Sequence, residues 1–333
     1  MKPKLKPLAE QVLVVTGASS GIGLATARRA AARGATVVLV SRDESDLDEA
    51  AKEIRDRGGR ARYRVADVAD QPAMQRVARH VVAELGRIDT WINNAGVTVY
   101  GLIEEVPVED ARRLFETNYW GVVNGSLAAL PHLRSGGGAL INVGSVLSDT
   151  GYPLQGHYAA SKHAVKGFTD SLRLEVEKSG APVSVTLIQP AAIDTPYPEH
   201  ARNHLGVEAK HMPPVYAPEV VARAILRCAE KPERNVLVGG SGRVFSTSEK
   251  IAPRLFDRMK EATGFDGQLT DTPHRGGDTL YHARPGDGRV RGRYPGRVRR
   301  SSAYTDARLH RGKTLLGLAA LGAGLLVGSR GRR

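Results

Sequence analysis

Thr16-Gly17-Ala18-Ser19-Ser20-Gly21-Ile22-Gly23 follows the apolar run Val12-Leu13-Val14-Val15 and precedes a helical pattern from Leu24 to Arg33. The apolar run reads as a buried strand, so the octet is a glycine-rich turn from strand to helix. Glycine lets the backbone come close to a ligand. The first turn of a helix offers N–H groups without intrahelical partners at the positive end of its dipole. A dinucleotide pyrophosphate suits such a turn, with Gly17, Ser20, Ile22 and Gly23 as its candidate contacts. The G-x-x-x-G-x-G spacing is wider than the common dinucleotide fingerprint, and glycine-rich turns can also do no more than reverse a chain.

Beyond the turn, strand and helix patterns alternate. Strands are expected at 36–40, 62–65, 88–92, 139–143, 183–188 and 236–238. Helices are expected at 45–57, 71–85, 108–129, 158–178 and 218–230. Apolar strands separated by helices predict an α/β fold, a doubly wound Rossmann-type parallel sheet with helices on both faces.

Four further features carry chemistry. Tyr158 and Lys162 stand four apart in His157-Tyr158-Ala159-Ala160-Ser161-Lys162, about one helical turn, and so share a face. A phenol with an ordinary pKa near 10 is a poor base at neutral pH, but a nearby ammonium favours its ionised form. Tyr158 can then hand a proton to a carbonyl oxygen, or take one from an alcohol. Ser145 follows the strand 139–143, where its hydroxyl can hydrogen-bond a reacting oxygen. Asn93-Asn94-Ala95-Gly96 follows the strand 88–92, and Asp67-Val68 follows the strand 62–65.

Together with the glycine turn, these motifs resemble the short-chain dehydrogenase/reductase family over roughly residues 10–250. The resemblance implies an oxidoreductase that moves a hydride between a nicotinamide cofactor and a carbonyl or secondary alcohol of a small molecule. It implies that Ser145 is the catalytic serine. It implies that Asn118, in Thr117-Asn118-Tyr119-Trp120-Gly121, helps hold a water near Lys162. Asp67 and Val68 would contact the adenine, and Asn94 and Gly96 would form the turn beside the cofactor. Tyr158 and Lys162 would adjoin its ribose, and Thr195 would bind the carboxamide. Ala191 departs from the family, which usually has glycine there. The set Asn118, Ser145, Tyr158 and Lys162 is complete, which weighs against the rival reading of a dinucleotide-binding sensor without turnover. The family commonly forms homodimers or homotetramers through long helices, here 108–129 and 158–178.

Arg42 follows the second strand, where an acidic residue would suit a free ribose and an arginine suits a 2′-phosphate. NADP is therefore the expected cofactor, with NAD as the alternative and Asp43 as a confounder. The segment 196–218 is the expected substrate loop, with Tyr197, Leu205, Met212 and Tyr216 as its aromatic and apolar members. It also holds His200, His204 and His211. With no Cys or Asp/Glu cluster at ligand spacing beside them, no metal is expected.

The net charge of +13 is concentrated at one end. From Arg275 onward there are 14 Lys or Arg against 3 Asp, so the remainder is close to neutral. The first domain is expected to span 1–263. Residues 264–312, rich in Gly, Pro and Arg without apolar periodicity, read as a flexible linker. Residues 313–333 read as an apolar helical tail with basic flanks. Its run 315–328 carries no charge, which suggests membrane contact as a short anchor or interfacial helix, or else docking on the enzyme's own surface. The arginine-rich stretch from Arg275 raises nucleic-acid binding as a rival reading, but it has few aromatics and no recognisable binding module, so no specific nucleic-acid partner is expected. One cysteine, Cys228, excludes an intrachain disulfide framework. The N-terminus lacks a signal-peptide apolar segment. A reducing, cytoplasmic-side location is expected rather than secretion.

Overall fold

The computed structural model describes residues 3–309. The chain begins β1 (Val12–Thr16), α1 (Gly21–Ala31), β2 (Thr36–Ser41), α2 (Glu44–Asp56), β3 (Arg60–Val65), α3 (Gln71–Leu85), β4 (Thr90–Asn93) and β5 (Val99–Tyr100). There follow α4 (Val108–Phe115), a π-helical turn (Glu116–Trp120), α5 (Gly121–Gly136), β6 (Gly138–Val143), α6 (Gly156–Lys178) and β7 (Val183–Pro190). After the short strands β8 (Arg202–Asn203), β9 (Val207–Ala209) and β10 (Val215–Tyr216) come α7 (Pro218–Glu230), β11 (Asn235–Val238), α8 (Gly240–Ile251) and α9 (Pro253–Gly264). The described chain closes with β12 (Leu269–Pro273), β13 (Val298–Arg299) and α10 (Ala303–Leu309).

Seven strands form one parallel sheet in the order β11-β7-β6-β4-β1-β2-β3. Every residue of β1, β6 and β7 is buried, as befits strands covered on both faces. Alternation along β1 divides the core. Leu13 and Val15 join α1, α2 and α7 on one face, whereas Val12 and Val14 join α3, α5 and α6 on the other. The winding reverses between β1 and β4, so a crevice opens beyond the carboxyl ends of these two strands.

One sequence expectation needs correction. The helix expected at 108–129 is interrupted by the π-helical turn at Glu116–Trp120 and then continues to Gly136. The turn turns Asn118 fully inward, and π-turns of this kind recur at functional sites. The expected flexible linker 264–312 is described as far as residue 309. Its described part lies against the domain. There β12 pairs with β9 and β13 with β10, and Leu280 and Leu309 are buried. A few irregularly spaced apolar anchors and many individually partnered arginines hold it, and neither leaves a periodic signal in the sequence. Residues 310–333, including the apolar tail, lie outside the described residues. Among the described residues, no helix is long and apolar enough to cross a membrane.

Candidate active site

Two cavities meet at the crevice. The first, of about 210 Å³, is lined by Gly17, Ser20 and Ile22 of the glycine turn, by Arg42 after β2, and by Asp67 and Val68 after β3. Asn94, Gly96 and Thr195 complete this wall. Gly17 has φ +63°, and a Cβ on it would stand 2.7 Å from Ala95 Cα. A Cβ on Gly23 would collide with the Gly17 carbonyl, so Gly23 shapes the turn from behind rather than lining the cavity. Ser20 occupies the N-cap of α1 without engaging its hydroxyl in the cap. The Gly21 N–H is taken by the Arg289 carbonyl, and the remaining first-turn donors of a helix N-terminus that opens on a cavity fit the pyrophosphate of a dinucleotide.

The Asn94 side chain does something the sequence did not indicate. Its Nδ2 donates to the carbonyls of Thr16 and Gly17 at 3.0 and 3.1 Å, clamping the glycine turn. Burial pushes the Asp67 carboxyl up, but the Ala69 N–H and the Arg113 guanidinium outweigh it and hold the group below the ordinary range. Arg42 differs most from expectation. Its guanidinium donates to the carbonyls of Thr279, Leu280 and Tyr281, so the C-terminal extension already occupies donors assigned to a 2′-phosphate.

Of the four proposed catalytic residues, Tyr158 and Lys162 line the second cavity, whereas Ser145 adjoins Tyr158 and Asn118 approaches Gly96 without lining either cavity. Ser145 N-caps a short 3-10 turn after β6, and its hydroxyl accepts from Leu147 N at 3.1 Å. Ser148, with nothing in the sequence to single it out, completes the capping box by accepting from Ser145 N at 3.2 Å. Lys162 Nζ lies 5.6 Å from the centre of the Tyr158 ring and donates to the Val143 carbonyl at 3.0 Å. Asn118 Oδ1 accepts from Val97 N at 2.8 Å, while its Nδ2 donates to Val97 O and Ser161 Oγ. A methyl group on Gly96 would sit 3.4 Å from Asn118 Oδ1 and 3.6 Å from Lys162 Nζ, so both side chains converge on that glycine.

The electrostatics also depart from expectation. Burial pushes the Tyr158 phenol up, against hydrogen bonds from Ser145 and Tyr197 that favour its ionised form. Burial lowers the Lys162 ammonium to about 8. Lys162 is thus a strained cation in its own right, and desolvation rather than the lysine dominates the tyrosine.

The second cavity, of about 220 Å³, holds Tyr158 and Lys162 in its wall and shares Ile22, Asn94, Gly96, Thr195 and Tyr197 with the first. Val146, Leu147, Tyr152, Met212 and Phe245 give it an apolar surface. Of the four members expected from the substrate loop, Tyr197 and Met212 line it. Leu205 packs instead in a cluster with Tyr100 and Leu154, and Tyr216 belongs to the main core. Tyr152 and Phe245 had no signal in the sequence, since Phe245 arrives from α8 far along the chain. The methyl of Ala191 lines this cavity and faces Gly239 and Gly242, whose missing side chains make room for it. The three loop histidines go separate ways. His200 meets Asp287 at 2.7 Å, His204 meets Asp110 at 3.0 Å, and His211 stacks on Tyr197. Burial lowers His211 to about 4, so it is neutral at physiological pH.

Comparison with known proteins matches the geometry. A family model described as short chain dehydrogenase covers residues 11–206. YxnA of Bacillus subtilis (strain 168), an uncharacterized oxidoreductase, is 43% identical over 337 residues, covering 100% of this chain and 93% of that protein. A 3-ketodihydrosphingosine reductase of Bacteroides thetaiotaomicron is 34% identical over 226 residues, 68% of this chain and 78% of that protein. The crystal structure of a short-chain dehydrogenase/reductase from Burkholderia phymatum in complex with NAD aligns with a TM-score of 0.68 at 24% identity, covering 76% of this chain and 97% of that one. At that identity the structural likeness speaks for the fold, and the sequence relatives speak for the chemistry. Matched in both, the chain belongs to the short chain dehydrogenase family and is a nicotinamide-dependent oxidoreductase.

Proposed function

We propose that the enzyme interconverts a ketone or aldehyde and its alcohol on a bulky, largely apolar small molecule, with NADP preferred over NAD. The observation that supports this most directly is the position of Tyr158, in the wall of an apolar cavity that opens into the dinucleotide cavity beside Thr195. When bound, a nicotinamide supplies or accepts the hydride. Tyr158 moves the proton at the substrate oxygen, and Ser145 holds that oxygen by a hydrogen bond. Lys162 places positive charge beside Tyr158 and the cofactor ribose. Asn118 fixes the turn at Val97 that faces it. Apolar lining by Val146, Leu147 and Phe245 excludes water and strengthens every polar contact made there.

The NADP preference rests on Arg42 at the end of β2, whose positive charge has no carboxylate hydrogen-bonded to it among the described residues. An assembly of two or four chains through α4, α5 and α6 is supported by exposed Val108, Leu127 and Leu174 on those helices and by exposed Trp120 in the turn between α4 and α5. Membrane contact by the run 315–328 rests on the sequence alone. The deciding experiment is NADPH and NADH oxidation against a panel of carbonyls graded by size and polarity. Turnover with apolar ring or long-chain ketones is expected. Activity confined to small polar carbonyls would overturn the substrate assignment.

A further inference from the structure

The C-terminal extension crosses the mouth of the dinucleotide cavity between residues 278 and 293. Thr279, Ala283, Arg284 and Asp287 line that cavity together with residues of the glycine turn. The segment is anchored on both sides of the opening. On one side Leu280 is fully buried in a cluster with Val97, Val99, Val106 and Leu114. There Asp278 also meets Arg202 at 2.9 Å, and the Tyr281 hydroxyl donates to Asp110 at 2.9 Å. On the other side the Arg289 carbonyl accepts from Gly21 N at 3.0 Å, and Arg291 pairs with Glu219 at 2.9 Å. In between, Gly286 N donates to Asp46 and Asp287 meets His200.

Charge accounting inside the cavity is one-sided. Each lining carboxylate is already engaged. Asp43 caps α2, Asp46 accepts from Gly286, Asp67 pairs with Arg113, and Asp287 pairs with His200 and Arg289. Arg284 has no hydrogen-bond or ion-pair partner among the described residues. An exposed, unengaged guanidinium in the wall of a cavity that also opens on a helix N-terminus is suited to a phosphate group.

We propose that residues 278–293 form a strap that closes over the bound dinucleotide, with Arg284 as the cation that meets one of its phosphates. The inference rests on the cofactor site described above and adds a second wall to it. Because the strap is tied down on both sides of the opening, the cofactor enters and leaves only when one set of anchors opens. Release is then limited by the strap rather than by the contacts of the glycine turn, and the spent nucleotide is exchanged for a fresh one at the rate at which the strap opens.

Three measurements on the full chain test this, none of them turnover. NADPH affinity is read by fluorescence titration, and its release by stopped-flow chase with excess NADP. Arg284→Ala weakens binding about tenfold or more, and Arg284→Lys restores most of it, as expected for loss of a charged hydrogen-bond partner. A loss confined to NADPH places Arg284 at the 2′-phosphate, and an equal loss with NADH places it at the pyrophosphate. Leu280→Ala, which hollows the anchoring cluster, speeds release about tenfold or more. On the unmodified chain, saturating NADPH slows tryptic cleavage after Arg289 and Arg291 about tenfold. If Leu280→Ala does not fold, the exposed Arg284 variants and the cleavage assay still decide. Parent-like affinity and release in the variants, with cleavage indifferent to NADPH, would overturn the strap while leaving the cofactor site intact. Tighter NADPH binding by Leu280→Ala would also overturn it, because the segment would then obstruct the site. Failure of the unmodified chain to bind either dinucleotide would overturn the cofactor site itself.

Discussion

Replacing Lys162 by Met exposes what the buried cation costs. Lys162 is 4% exposed, and burial lowers its ammonium from 10.5 to about 8. Each pH unit of displacement corresponds to about 1.4 kcal/mol, so folding with the charge in place costs on the order of 3 kcal/mol at neutral pH. Between pH 8 and 10.5 the folded chain binds fewer protons at this site than the unfolded one, so this penalty fades as pH rises. Below about pH 8 it is present in full. The methionine variant carries no such term, but it leaves the Val143 carbonyl without the 3.0 Å donor it now has, a loss of about 1–3 kcal/mol that does not vary with pH. The sign at pH 7 therefore hangs on two opposed terms of similar size, while the slope hangs on one. Urea unfolding of the cofactor-free proteins, followed by the fluorescence of Trp91 and Trp120, measures both. The difference in stability is expected to be flat up to about pH 7. It should then shift in favour of the unmodified protein by about 3 kcal/mol between pH 8 and 10.5. Parallel profiles across that window, or a shift in the opposite sense, would refute the idea that Lys162 is held as a destabilised cation.

Tyr158→Phe is expected to bind NADPH normally in a fluorescence titration and to lose nearly all turnover; retention of more than about a tenth of the rate, only about 1.4 kcal/mol of barrier, would refute its role as proton carrier. Arg42→Ala is expected to weaken NADPH binding by about tenfold or more and NADH binding far less. Equal losses for the two would show that Arg42 serves only to hold residues 279–281. Asn94→Ala removes both donors that clamp the glycine turn and is expected to lower Tm and weaken both dinucleotides alike, by about 1–3 kcal/mol in stability. Unchanged Tm would mean the turn holds its shape unaided. Flotation with anionic liposomes is expected for the full chain and not for one ended at Gly312; equal behaviour of the two would remove the membrane role of the tail.

The difference between what was legible in the sequence and what was not follows from how each feature is held. The sheet was legible because buried parallel strands must be continuously apolar, and β1, β6 and β7 are. The glycine turn was legible because Gly17 needs a positive φ and Gly23 packs on the Gly17 carbonyl, both constraints local in the chain, although the close approach of Gly17 to Ala95 is not. Tyr158 and Lys162 were visible for the same reason, their juxtaposition being fixed by one helical turn. Arg42 marks where that locality ends. Its place after β2 was readable, but its partners are carbonyls about 240 residues away, and carbonyls belong to every residue type. The extension multiplies this difficulty. Leu280 and Leu309 are single anchors without periodicity, and Arg289 and Arg291 are held by carboxylates of distant elements. Composition counts such arginines as solvated charge and scores the segment as unable to order itself. By itself that is correct, since few of its anchors are local to it. The segment is ordered because the domain supplies the other half of each contact. An enzyme that borrows order in this way can set the stability of its strap independently of its sheet, by changing rim residues such as Asp110 or Arg202 that line neither cavity. Cofactor residence could then be tuned in this chain without altering the glycine turn or the residues beside Tyr158.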